Sequence, residues 1–366
     1  MTHFRKSFLF PVISILIGIA VALSVVEIIL RIFRLSPTQG VQSVNQELFE
    51  TLPGAYMPSQ RIVARHVPTL PHKVTINSLG YRGADFPAEK PPGELRVFMT
   101  GDSFTYGDVV DDDKTLPFQL EVLLEGRCAK VRVINAGLAG STVDAQSALI
   151  ERAVRVKPDI VILMFHENDV IDLNASLWKE LEINRQIRSS FPMSVVFSLL
   201  HSTATYHLAR RAEKQVRDLL RKETMASDAS REDELDRRER MKLVYSGELR
   251  SVYERLQERS VDFIFAMFPN YLHVGPPKPN PASKPGEVSW YDREMVEWAE
   301  TTAKGMGIPT LNLQDVLYRG LARVEDGYLL PHDGHPSPKG YQVAAEAFAR
   351  FPPLVDSISR NCAPSK

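Results

Sequence analysis

Apolar runs of strand length recur along the chain, each closed by a turn or a polar cluster. Leu95, Val97 and Met99 alternate with Arg96 and Phe98 and stop at Thr100, which reads as a strand entering a tight turn. Residues 131–134, 159–165, 261–268 and 308–313 form four more such runs. The run DIVILMF at 159–165 is almost wholly apolar, the mark of a central parallel strand buried on both faces. Helix-length segments lie between the runs. Leu116, Leu120, Leu123 and Leu124 share one helical face, with Thr115 or an aspartate of 111–113 as cap and Pro117 in the first turn. Residues 148–156 read as helical up to Lys157-Pro158, and VAAEAFARF gives a late helix ending near Phe351. This alternation predicts a three-layer α/β/α domain around a parallel sheet of about five strands with right-handed crossovers.

The N-terminus has a different pattern. Residues 8–26 carry no charge, and IILRIFR follows Glu27. The run is about long enough to span a bilayer. Ala20-Val21-Ala22 resembles the small-x-small site of a cleaved signal peptide. The apolar sequence nevertheless continues through Leu30, so an uncleaved anchor over 1–34 is expected. Arg5 and Lys6 nearly balance Arg31 and Arg34, and only the short leading tail favours a cytoplasmic N-terminus with the rest of the chain outside. Glu27 reads as reaching the interface or pairing with Arg31 one turn on. Residues 35–94 form a Pro-rich approach whose turn-rich INSLGYRG (76–83) reads as a surface connection packed on the domain. The domain proper is expected over 95–366, with a helical insertion at about 171–260. Within that insertion 189–208 is fairly apolar and 210–242 densely charged. Glu232, Glu234, Arg237, Arg238 and Arg240 suggest a solvated helix, either a plain cap or a partner-docking surface. The Pro-rich loop 271–285 is expected at the active edge, where it would shape specificity.

Composition narrows the functional classes. The 366 residues are 44% hydrophobic and 24% charged with a net charge of −1, which suits one large or two small globular domains and gives no basis for a nucleic-acid partner. There is no internal repeat of solenoid period. Three successive aspartates at 111–113 lack EF-hand spacing, and His166-Glu167 lacks the HExxH pattern, so neither points to a metal. No cofactor is implied.

The polar residues that end the runs carry the candidate chemistry. After 95–100 come Gly101, Asp102 and Ser103. A hydroxyl at the carboxyl end of a strand lies where open α/β sheets bind ligands, and it becomes a nucleophile if a base reaches it. Taken alone, Gly-Asp-Ser reads as a plain turn with no chemistry. The second run ends in INAGLAGST (134–142), whose glycines either shape a turn or present backbone N–H groups to a ligand. His166, Glu167, Asn168 and Asp169 follow the buried third run. Near the C-terminus DGHPSPKGY places His335 two residues after Asp333 and just before a helix, a compact way to hold an imidazole base in one tautomer.

Together, GDSFTYG, INAGLAGST, HENDV and DGHPSPKGY resemble the four blocks of the SGNH, or GDSL, hydrolase superfamily, over roughly 95–351. The resemblance implies a flavodoxin-like five-stranded sheet. It implies Ser103 as nucleophile, His335 as base and Asp333 as orienting acid, with oxyanion donors from the Ser103 N–H, the Gly140 N–H and the Asn168 side chain. Two features depart from the family. His166 stands where glycine is usual, and Asp333 precedes the histidine by two residues rather than three. The implied activity is a serine esterase, removing acetyl or other O-acyl groups from an envelope glycan or a lipid ester, anchored by its N-terminal helix with the domain extracytoplasmic (periplasmic). The alternatives are an O-acyltransferase using a polysaccharide acceptor and a catalytically silent binding module. Cys128 and Cys362 are the only cysteines, and both are expected at the sheet edge opposite the active site. A disulfide between them is one reading and two free thiols the other.

Overall fold

The computed structural model of the chain describes residues 2–33, 52–171 apart from 66 and 68, residue 173, most of 190–216, 231–276 and 293–362. In chain order its elements begin α1 (Thr2–Ile32), β1 (Gln60–Ala64), β2 (His72–Ile76), β3 (Leu95–Thr100), α2 (Ser103–Tyr106), α3 (Leu116–Glu125), β4 (Val131–Asn135), α4 (Val143–Ala153) and β5 (Ile160–Phe165). They continue with α5 (Asn168–Ile171), α6 (Met193–His201), α7 (Arg231–Glu258), β6 (Asp262–Met267), α8 (Arg293–Gly305), β7 (Thr310–Asn312), α9 (Gln314–Gly320), α10 (Pro338–Arg350) and α11 (Pro352–Asn361). The chain divides into two units, Met1–Gly40 with Ile187–Asp228, and Val41–Gln186 with Ala229–Lys366.

The larger unit is built on a parallel sheet in the order β4-β3-β5-β6-β7. Strand alternation sends successive side chains to opposite faces. Leu95, Val97 and Met99 of β3 and Ile160, Ile162 and Met164 of β5 pack on one face with Leu116, Leu120 and Leu124 of α3, Phe348 of α10 and Leu354 of α11. Phe98, Val161, Leu163 and Phe165 turn to the other face, against Ile150 of α4, Tyr245 and Leu249 of α7 and Met295 of α8. Both faces are covered, which accounts for the nearly unbroken apolar runs. Thr115 caps α3, accepting from the Phe118 N–H at 3.5 Å.

Two segments contribute more to this unit than their sequence suggests. The second half of α7 presents Tyr245, Leu249, Val252 and Leu256 to the core at helical spacing, so the charged stretch before it leads into the helix that precedes β6. In the approach segment β1 and β2 form an antiparallel hairpin. Tyr56, Val74 and Ile76 cluster with Tyr106 of α2, and Tyr81 is buried against Phe98.

Cys128, just after α3, is bridged to Cys362, just after α11, with Cα atoms 5.7 Å apart. The bridge spans 234 residues of sequence, so in a chain-entropy account it stabilises the fold by roughly 5 kcal/mol. Cys362→Ser is therefore expected to lower the urea midpoint of the oxidised protein substantially, and an unchanged midpoint would contradict a stabilising role.

In the smaller unit, Ile13–Ile32 within α1 is long and apolar enough to cross a membrane. Near its end the Arg31 Nε donates to Glu27 at 2.7 Å.

Candidate active site

The site is assembled at the carboxyl ends of β3, β4 and β5. After β3 the chain turns at Gly101, where a Cβ would lie 2.7 Å from the Met164 carbonyl oxygen of the neighbouring strand. Only glycine allows that approach. Asp102 then caps α2, its Oδ1 accepting from the Phe104 N–H at 2.9 Å. Ser103 follows as the first residue of α2, partly exposed.

The elements behind Ser103 are firmly held. Tyr341 of α10 donates to the Phe104 carbonyl at 2.9 Å. Arg82 is 4% exposed, and its guanidinium lies over the Tyr106 ring. It donates to the carbonyls of Tyr106 (3.0 Å), Gly107 (2.6 Å) and Val110 (2.6 Å) and to the Asp112 carboxylate (2.9 Å). A buried cation is tolerated when its donors are satisfied in this way. No sequence signal marks Arg82, because three of its acceptors are backbone carbonyls of a segment 24 to 28 residues away.

The segment before α10 brings a histidine to Ser103. The Leu329 N–H donates to the His335 carbonyl at 2.9 Å, and the Ser337 side chain caps α10 through the Gly340 N–H at 3.1 Å. His335 Nε2 lies 2.9 Å from Ser103 Oγ, and its Nδ1 lies 2.5 Å from Asp333 Oδ1. The same carboxylate oxygen accepts from the His335 N–H at 2.8 Å, so a spacing of two residues orients both ring and backbone. Burial alone would lower the His335 pKa. The Asp333 hydrogen bond and the charges of Asp333, Asp108 and Asp102 outweigh it and hold the imidazole above its ordinary value. Burial likewise opposes ionisation of Asp333, but the hydrogen bond and charge of His335 prevail and keep this carboxyl below its usual range.

The other two loops are tied to this one. The Leu138 N–H and the Ser141 hydroxyl both donate to the Gly101 carbonyl, at 2.9 and 3.3 Å. They fix the loop that carries Gly140, itself exposed at φ +72°. Gln146 Nε2 bridges from Ser141 Oγ (3.3 Å) to Asp169 Oδ1 (2.8 Å), and Asp169 Oδ2 accepts from the His166 N–H at 3.1 Å. Gln146 and Asp169 thus lock the Gly140 loop to the turn that carries Asn168. The Asn168 side chain makes no hydrogen bond among the described residues, and its Oδ1 is buried. His166 does not line an open wall. Its ring is buried, stacks on Phe104 with centroids 3.8 Å apart, and its Nδ1 lies 3.0 Å from the Phe268 carbonyl. Glu167 pairs in the interior with His273 of the loop after β6. The rest of the expected specificity loop, beyond residue 276, lies outside the described residues up to 292.

The arrangement unites Ser103, His335 and Asp333 in one hydrogen-bonded line and sets Gly140 and Asn168 on adjoining strand ends. A serine whose proton can pass to an oriented imidazole suits acyl transfer. Among the described residues, no group of three or more His, Cys, Asp or Glu side chains is placed to hold a metal ion.

The model of the GDSL-like Lipase/Acylhydrolase family matches residues 99–343. No curated protein matches the sequence. Among solved structures, a protein of the G-D-S-L family from Desulfitobacterium hafniense DCB-2 is 17% identical over 70% of this chain and 99% of its own, with a TM-score of 0.41. The lipase/acylhydrolase from Enterococcus faecalis is 13% identical over 74% of this chain and 99% of its own, with a TM-score of 0.41. Axe2, an acetylxylan esterase from Geobacillus stearothermophilus, is 16% identical over 70% of this chain and 93% of its own, with a TM-score of 0.39.

Proposed function

The chain belongs to the GDSL-like lipase/acylhydrolase family, whose members hydrolyse ester bonds, and from that premise we propose a serine esterase that works through an acyl-enzyme on Ser103. The observation that carries this reading is the unbroken line from Ser103 Oγ through His335 to Asp333, at 2.9 and 2.5 Å. His335 Nε2 takes the Ser103 proton as Oγ attacks the ester carbonyl. The resulting oxyanion is met by the N–H groups of Ser103 and Gly140 and by the Asn168 amide, donors that bind it more strongly than the ground-state carbonyl. His335 then protonates the leaving alcohol, and water, deprotonated by the same imidazole, releases the acyl group. Asp333 holds the ring in the required tautomer and stabilises its charged form.

The raised His335 pKa sets a pH dependence. The imidazole must be neutral to accept the serine proton, so kcat/KM is expected to rise through an apparent pKa above about 6.5. Asp333→Asn removes the charge that favours the imidazolium and should move this acid limb downward while cutting the rate. A wild-type limb at or below about 6.5, or a limb that Asp333→Asn leaves in place, would contradict the assignment.

The substrate is an O-acyl ester of an envelope glycan or lipid. That placement rests on α1 as an uncleaved anchor, with residues 95–366 carrying the hydrolase domain outside the cytoplasm. The Cys128–Cys362 bridge supports it, since such bonds persist in oxidising compartments. The test is an acyl-release assay over acetylated glycans, lipid esters and short-chain esters, with and without an added glycan acceptor. Release to water that depends on Ser103 is expected. Acyl groups appearing only on the acceptor would replace hydrolysis by transfer.

A further inference from the structure

The smaller unit contains an apolar surface that the esterase chemistry does not use. Within α6, Val195, Val196, Leu199 and Leu200 lie on one side of the helix and are exposed, Leu199 by 65%. Phe191, just before the helix, is 85% exposed. Such a surface is costly in water and marks a contact.

A carboxylate of α1 holds the chain just beyond α6. Glu27 Oε1 accepts from the Ala204 N–H at 2.8 Å, and Oε2 accepts from the Thr205 N–H at 2.9 Å and the Thr205 hydroxyl at 2.8 Å. With Arg31 added, the charge of Glu27 is fully met near the end of the apolar span Ile13–Ile32. At about 1.5 Å of rise per residue, Glu27 sits less than about 8 Å inside the end of that span, in its outer part toward the headgroups. The backbone at Ala204 and Thr205 is held at the same depth. The nine residues of α6 end three positions earlier in sequence and extend only about 13 Å. In the sequence beyond, Arg210, Arg211, Lys214 and Arg217 outnumber Glu213 and Asp218, a basic excess suited to anionic headgroups.

We propose that α6 lies in the membrane interface beside α1, its apolar side covered by anionic lipid, with Glu27 as the tie that holds it there. The insertion is then a second, in-plane membrane contact. This inference rests on the reading of α1 as an uncleaved anchor, and its test separates the two.

The full chain, unreduced so that Cys128 and Cys362 stay bridged, is reconstituted in phosphatidylethanolamine–phosphatidylglycerol vesicles. Single cysteines at Val21→Cys, Leu199→Cys or Val244→Cys carry an environment-sensitive fluorophore. The expected result is loss of most emission at 21 with deeply placed doxyl lipids, at 199 with shallow doxyl lipids, and at 244 with aqueous iodide alone. Emission at 21 that is quenched by iodide and not by lipid defeats the anchor reading. Lipid quenching at 21 with iodide quenching at 199 defeats this inference alone. Shielding of 199 from both quenchers assigns the surface to a protein contact and also overturns it. Glu27→Ala should expose the 199 probe to iodide and leave the 21 probe in lipid, and an unmoved 199 probe would overturn the tie.

Discussion

Ser103→Ala and His335→Ala are each expected to lower kcat for ester hydrolysis by on the order of 10⁴ to 10⁶, and the double variant to be little worse than either. The reason is geometric. Ser103 Oγ has the imidazole of His335 at 2.9 Å, and that imidazole has the Asp333 carboxylate at 2.5 Å on its far nitrogen. Without the base the hydroxyl keeps its proton, and without the hydroxyl the base has nothing to activate, so the second loss removes nothing that remains. The folds of the variants should survive, because Ser103 and His335 are both partly exposed and α2 is held from behind by Arg82 and Tyr341. The measurement is kcat for wild type, both single variants and the double variant on one ester. Losses that add in free energy would mean that the two residues act independently.

Asn168→Ala is expected to cost on the order of 10² to 10³ in kcat, with KM little changed. Asn168 opens the turn at the end of β5, and its neighbours fix its place. Asp169 accepts from Gln146 at 2.8 Å and from the His166 N–H at 3.1 Å, and neither contact involves the Asn168 side chain. Removing that side chain therefore leaves the turn standing and takes away one donor. A donor that meets charge only in the transition state affects turnover more than substrate binding. An unchanged kcat would remove Asn168 from the oxyanion site. A rise in KM alone would make it a binding group instead.

The residues that bind this site together differ in how visible they are in the sequence. The strands are legible because parallel strands covered on both faces must be apolar nearly throughout, as at Ile160–Phe165. The candidate residues Ser103, Gly140, Asn168, Asp333 and His335 stand out because each follows a strand or precedes a helix in a short block with turn residues. The remainder is held by contacts distant in sequence. Arg82 reaches a loop beyond β3 through backbone carbonyls, which any sequence provides. Gln146 looks like a surface residue of α4, yet it is buried between two loops. The core face of α7 is masked in the sequence by the charges of its first half, although Tyr245, Leu249, Val252 and Leu256 keep helical spacing. His166 reads as a polar residue at the site, and only the Phe104 ring against it shows that it is packing. The tail after Phe351 continues as α11, whose Leu354 and Ile358 reach the core and bring Cys362 to Cys128.

The central claim is that Ser103 is the nucleophile of an acyl-enzyme, and active-site labelling tests it most directly. The oxidised full-length protein is treated with a fluorophosphonate and the adduct mapped by peptide mass spectrometry. The predicted result is a single adduct on Ser103 that is lost in Ser103→Ala and strongly slowed in His335→Ala. An adduct on a different serine, or none in a folded protein that still releases acyl groups, would contradict the account.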